Sequence, residues 1–182
     1  MDKTAAPTRS AASTPIGELY HATTSAFEEG RILTDPADAM YAEVTKLLNA
    51  ERPAGAPSRS NCFFASDNLG FAVEYSMAQQ DKRAPKPIFV YTVEIEEPWR
   101  APMALINAIR KGLQQKRDVR ALVREYWHPA EKWKCFEVFG PVMKIIRVIS
   151  NPSSSYVDYL NYNPGDTSRA DGLYAKCPPD QP

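Results

Sequence analysis

Four short stretches of this chain hold residue types that can do chemistry, and they occur in a fixed order. His21 stands in Tyr20-His21-Ala22-Thr23-Thr24. A histidine followed by hydroxyl residues is either a hydrogen-bonded core group or a ligand-facing donor and acceptor. Phe63 and Phe64 form an aromatic pair in Asn61-Cys62-Phe63-Phe64-Ala65, suited to core packing or to stacking on a flat ring. Tyr75 lies beside Val73 and Met77 and has the same two readings. Glu137 is the least ordinary of the set. It sits in Cys135-Phe136-Glu137-Val138-Phe139, so if Phe136 and Val138 face the core it points to the opposite side of the strand. That side is either solvent or a site, and a carboxylate held in a partly apolar cleft is a familiar catalytic device.

These groups need elements to hold them. The globular part starts at Gly17, with a first strand at Glu18–Thr24. Asp35-Pro36 marks a helix start, capped by Thr34 or Asp35, and Met40, Tyr41, Val44, Leu47 and Leu48 follow at helical spacing. Pro53 to Pro57 ends that helix. Cys62–Ala65 reads as a short strand. Ser66-Asp67 then caps a helix whose buried side carries Leu69, Val73 and Met77. Ile88–Ile95 is the clearest strand, with Phe89, Tyr91, Val93 and Ile95 on one face. Residues 101–126 read as helix in two pieces. Their Arg110, Lys111, Lys116, Arg117, Arg120 and Arg124 form either a solvated face or a basic face for an acidic partner or phosphates. An aromatic loop, Tyr126–Trp133, leads into two strands that pair across Gly140-Pro141. The domain reading is a disordered leader over 1–16, a folded domain over 17–150 that holds the four stretches, and a loop-rich tail over 151–182.

Composition narrows the classes. The chain has 182 residues, with Lys+Arg 22 and Asp+Glu 22. One domain with a real core is expected at this length. A formal charge of zero disfavours sequence-independent binding to nucleic acid, which is held by phosphate neutralisation. The 16 prolines, about 9% against a usual ~5%, point to many fixed turns. Cysteines at 62, 135 and 177 suggest neither a disulfide framework nor a zinc site. Two histidines without paired carboxylate spacing make a poor metal-ligand set, so no metal is expected. No apolar run is long enough for a membrane span, so no membrane partner is expected. The reading is a soluble domain, cytoplasmic or secreted into a host cell by a specialised secretion system. The Ser/Thr-rich start resembles an effector leader. No GxGxxG follows a strand, so a Rossmann mode of dinucleotide binding is not indicated.

The order of the four stretches resembles the ADP-ribosyltransferase superfamily, in the diphtheria-toxin and poly(ADP-ribose) polymerase branch, over residues 18–150. That branch has a first-strand histidine closely followed by a small or hydroxyl residue, as in His21-Ala22-Thr23. A Tyr-Phe-Ala-like strand then leads to a helical tyrosine, as in Phe63-Phe64-Ala65 and Tyr75, and a late-strand glutamate completes the set, as Glu137 does. The resemblance implies an α+β fold, a split β-sandwich of two small antiparallel sheets with flanking helices. It implies NAD as co-substrate and a mono-ADP-ribosyltransferase, of bacterial effector or toxin type, with a protein acceptor; ubiquitin is among the acceptors known in the superfamily. In that reading Glu137 is catalytic, stabilising oxocarbenium character at the ribose. His21 and Thr23 hold the adenosine side, and Phe63 and Tyr75 sandwich the nicotinamide. Arg59 pairs with the pyrophosphate through its guanidinium fork, and Ser60 supports the ring amide. Trp127, His128 and Trp133 lie where the family's acceptor loop lies, and they are either exposed aromatics suited to a protein partner or a loop folded down onto the core. Two departures stand out. The first aromatic is Phe63, not tyrosine. Cys135 stands two residues before Glu137, where arginine- and guanine-modifying relatives carry Glu or Gln, so a non-arginine acceptor is expected. An NAD glycohydrolase and a non-enzymatic binding module on the same fold are the alternatives.

Overall fold

The computed structural model describes residues 17–36, 41–80, 83–84, 86–130, 133 and 135–150. The expected leader and tail lie outside them. The first strand is β1, Leu19–Thr23, followed by the short β2, Ile32–Leu33. Helix α1 spans Ala42–Ala50, starting later than Asp35-Pro36 suggests, and Tyr41 precedes it at φ 61°. A 3-10 turn, Arg59–Asn61, leads into β3, Phe63–Ser66, and helix α2, Leu69–Ala78. Strands β4, Phe89–Glu96, and β5, Trp99–Pro102, come next. Helices α3, Ala104–Gln114, and α4, Arg120–Trp127, then precede β6, Phe136–Gly140, and β7, Val142–Ser150.

The fold is α+β. The seven strands join in one antiparallel sheet in the order β2-β7-β4-β1-β3-β6-β5. The hydrogen bonding thus draws a single sheet where two small ones were expected. The join between β1 and β3 is narrow, with the single register pair Tyr20↔Ser66. By contrast β1 and β4 pair over five residues, from Leu19↔Val93 to Thr23↔Phe89.

Two expectations are corrected by this order. Strands β6 and β7 do not pair with each other: β6 lies between β3 and β5, and β7 between β2 and β4. Only Pro141 separates them, whereas the tightest common hairpin needs two loop residues and is set by residues other than proline at its centre. The chain therefore steps from one half of the sheet to the other. Gly140 makes this step possible, since a Cβ there would lie 2.4 Å from the Glu96 carbonyl oxygen and 2.6 Å from Ile95 Cγ2. The second correction concerns α2. Its cap is Asn68, whose Oδ1 accepts the Phe71 N–H at 3.1 Å, and it buries Phe71, Ala72 and Ser76 while Leu69 is exposed. The expected cap, Asp67, instead accepts the Phe136 N–H at 3.1 Å and pairs with Arg100 at 3.0 Å. It ties the end of β3 to the start of β6.

The core has two main parts. One gathers Val44 and Leu48 of α1, Leu105, Ile106 and Ile109 of α3, Val123, Tyr126 and Trp127 of α4, and Phe136 and Phe139 of β6. The other lies around Leu19, Tyr91, Val93, Ile95, Met143 and Ile145, with Phe89 packed against it. This second cluster is the apolar face of β4 that its alternation predicts. Among the described residues, no helix is long and apolar enough to cross a membrane.

Candidate functional site

Glu137 lies mid-strand in β6 and is 4% exposed, yet it reaches the wall of a cleft of about 610 Å³. Behind it stand Arg59 and Tyr126. Arg59 Nη1 donates to Glu137 Oε1 and to the Tyr126 hydroxyl, and the Tyr126 hydroxyl donates to the same Oε1. Glu137 Oε2 has only a 3.5 Å contact with Arg59 Nη2, so it is the less committed oxygen.

Each member is held by its own element. Arg59 sits on the 3-10 turn, whose backbone is pinned by Asn49 of α1: Asn49 Oδ1 accepts the Arg59 N–H at 2.9 Å, and Asn49 Nδ2 donates to Ser60 Oγ at 3.0 Å. The guanidinium lies 4.6 Å from the Phe64 ring centre and 5.2 Å from that of Phe139, so aromatic faces replace the water it has lost. Burial is the largest single influence and works against its charge, but Glu137, Tyr126 and Tyr75 together outweigh it and hold the guanidinium above its ordinary value. Tyr126 stacks on Phe139 at 6.4 Å from the buried face of α4. Burial pushes its phenol well above the ordinary value, so at neutral pH it keeps the proton it donates. A buried pair of charges is stable only when such additional partners satisfy it.

Much of the rest of the cleft comes from β1, β3 and α2, with Gln80, Lys86 and Met103 beyond them. His21, Thr23, Phe63, Phe64 and Tyr75 line it together with Glu137. His21 Nδ1 lies 2.9 Å from the Phe64 carbonyl oxygen. A carbonyl only accepts, so Nδ1 carries the proton and a neutral ring leaves Nε2 as an acceptor. Burial pulls the imidazole below its ordinary value, which favours that neutral ring at pH 7. Thr23 Oγ1 accepts the Ser25 N–H at 3.3 Å.

The structure thus brings His21, Thr23, Phe63, Tyr75 and Glu137 to one cleft. It places the other expected residues elsewhere. Arg59 is 4% exposed, is not on the cleft wall and is engaged with Glu137, so the expected contact with a pyrophosphate is replaced by an internal ion pair. Ser60 is exposed beside Asn49 and is not on the cleft wall either. Trp127 is not in a loop; it ends α4, is buried, and donates from Nε1 to the Leu48 carbonyl at 3.1 Å. Trp133 is also buried, with Nε1 donating to Glu125 at 2.9 Å. Of the two readings of this stretch, both tryptophans follow the one folded into the core, because two large rings gain more from burial than from water. His128 alone of the three is exposed.

Tyr126 is the group the sequence reading missed. Its position three residues after Val123 on an amphipathic helix marks it as buried, and a buried tyrosine hydroxyl needs a polar partner. Cys62 is buried and its thiol donates to the Ser58 carbonyl at 3.1 Å. Burial raises it to about 11, so it is no nucleophile at neutral pH. Cys135 is disulfide-bonded, which the cysteine spacing did not suggest. Among the described residues, no group of three or more His, Cys, Asp or Glu side chains could hold a metal ion. The chain matches no protein-family model and, at a significant level, no curated protein.

Proposed function

We propose that this chain is a mono-ADP-ribosyltransferase that cleaves NAD in the cleft at Glu137 and passes ADP-ribose to a protein acceptor through a non-arginine side chain. The observation that carries the reading is the meeting of His21, Thr23, Phe63, Tyr75 and Glu137, from four separate elements, in one cleft of about 610 Å³. A volume of that order suits a cofactor-sized ligand. The narrow β1–β3 join supports the split-sheet idea in a weaker form, with the cleft at the seam between two halves.

In this reaction the bond between the nicotinamide nitrogen and ribose C1′ breaks, and its electron pair moves onto the ring, which leaves neutral. C1′ gains oxocarbenium character. Glu137 Oε2 accepts a hydrogen bond from a ribose hydroxyl and faces the growing positive charge with a carboxylate already in place. Arg59 and Tyr126 act through Glu137 by fixing Oε1, which leaves Oε2 for the substrate. Phe63 and Tyr75 offer faces to the departing ring. His21 Nε2 accepts from a hydroxyl on the adenosine side. The acceptor then adds to C1′ and releases a proton. Cys135, two residues before Glu137, has no carboxylate or amide with which to steer a guanidinium acceptor.

Nicotinamide release from NAD, followed for the wild type and Glu137→Gln with and without cell lysate, tests this. The expected result is release that depends on Glu137 and rises with lysate, with an acceptor gaining the mass of one ADP-ribose. Glu137-dependent release indifferent to lysate would make water the acceptor and the protein a glycohydrolase. No release under either condition would replace the enzyme with a binding module.

A further inference from the structure

Among the described residues, the cleft wall carries one carboxylate residue, Glu137, and one lysine, Lys86. Arg59 cannot serve as the second cation, since it is buried against Glu137. Lys86 is exposed and follows α2 in sequence. Its backbone N–H donates to Gln80 Oε1 at 2.6 Å, and Gln80 lines the same cleft. That bond identifies the two ends of the Gln80 amide, because the atom facing an N–H must be the oxygen. The other end, Nε2, is buried and has no hydrogen-bond partner among the described residues. A buried donor left unmade is costly, so the site gains when the Gln80 amide turns this end toward an acceptor in the cleft.

We propose that Gln80 and Lys86 form the anion-binding end of the cleft and take the diphosphate of a nucleotide ligand, the role the sequence suggests for Arg59. Two features fit this chemistry. An ammonium with three donors and an amide N–H can bond separate oxygens of one diphosphate. The wall is also polarised, with an anion where positive charge develops on the ribose and a cation where the ligand is negative. The proposal rests on the nucleotide reading of the cleft but is tested apart from it.

Calorimetric titration of the full chain with ADP, inorganic pyrophosphate and adenosine is the test, on wild type, Lys86→Ala and Gln80→Glu. The second substitution keeps the oxygen that holds the Lys86 backbone and replaces the donor with an oxygen that repels phosphate. ADP is expected to bind the wild type more tightly than adenosine does. Each substitution is expected to weaken ADP about tenfold, the scale of one charge-assisted hydrogen bond, while leaving adenosine unchanged. Pyrophosphate losing affinity in parallel would place the effect on the diphosphate itself. ADP binding equal in all three proteins, or a wild type that does not prefer ADP to adenosine, would overturn the proposal. The two readings fail separately. Lys86-dependent ADP binding with no nicotinamide release would keep this subsite and discard the transferase. Glu137-dependent release whose KM for NAD is the same in Lys86→Ala would discard the subsite and keep the transferase.

Discussion

The two halves of the sheet meet at one register pair and are built differently. The β3-β6-β5 half is covered by α1, α3 and α4, and its core holds the larger aromatic cluster. Within it sits a charged group, Arg59 with Glu137, hydrogen-bonded by Tyr126 and flanked by Phe64 and Phe139, with Arg59 Nε left without a partner among the described residues. The β2-β7-β4-β1 half has a smaller cluster and leaves Ile146, Val148 and Ile149 of β7 partly exposed. Its described ion pair, Arg147 with Glu18 at 3.0 Å, lies in solvent. The first half carries exposed pairs as well, Arg100 with Asp67 and Arg120 with Asp118, so the contrast lies between the two pairs themselves. Around Arg59 and Glu137 water has been excluded and every partner is needed; around Arg147 and Glu18 water screens the pair. The cleft takes its carboxylate from the first half and its imidazole and the Thr23 hydroxyl from β1 of the second.

The sharpest way to break this contrast is Arg59→Ala. It strands a buried carboxylate, and a loss of about 3–5 kcal/mol in urea unfolding is expected. The double variant Arg59→Met with Glu137→Gln should recover much of that loss while nicotinamide release stays absent. A double variant no more stable than Arg59→Ala would show that the charges are not what matters.

Gly140→Ala tests the step between halves. Its Cβ would collide with the Glu96 carbonyl, and a cost of about 1–3 kcal/mol is expected from the forced shift. Thermal melts that match the wild type would mean the two halves have slack at this point. Tyr126→Phe keeps the ring on Phe139 and removes one hydroxyl. A cost of about 1–2 kcal/mol is expected, with nicotinamide release falling mainly in kcat, because Oε1 loses the bond that orients Glu137.

His21 gives a smaller effect with a defined sign. Its pKa in the folded state lies below the ordinary 6.5. The stability it contributes is complete above 6.5 and is lost as pH falls through the lower folded value. Proton NMR should show its ring titrating below 6.5, and His21→Gln should flatten the acid side of the stability curve. A midpoint above 6.5 would mean the ring is not buried as described. The smallest change is expected for Arg147→Ala on the second half, at most about 1 kcal/mol and shrinking with added salt.

Several parts of this molecule can be read one residue at a time. The alternation of β4 predicts its buried face, and the helical reading of residues 101–126 holds over α3 and α4, although residues 101 and 102 belong to strand β5 instead. The apolar flanks of Glu137 mark it as a carboxylate that is either solvated or special. Other parts resist such reading. The side of α2 that is buried depends on β1 lying against it, and Leu69-Val73-Met77 forms as good a stripe on paper as the one actually used. The separation of β6 from β7 depends on which strands are already beside them.

Local sequence determined the elements, the apolar faces and the candidates for chemistry, because period, caps and turn residues act over a few positions. Tertiary structure alone decided that Arg59 belongs to Glu137 rather than to a ligand, that Tyr126 completes the pair, and that Trp127 is core. The physical reason is that an ion pair, a buried hydroxyl and a filled core are set by whatever arrives from distant parts of the chain. A guanidinium has the same chemistry toward a carboxylate as toward a phosphate, and only the fold says which of them it meets.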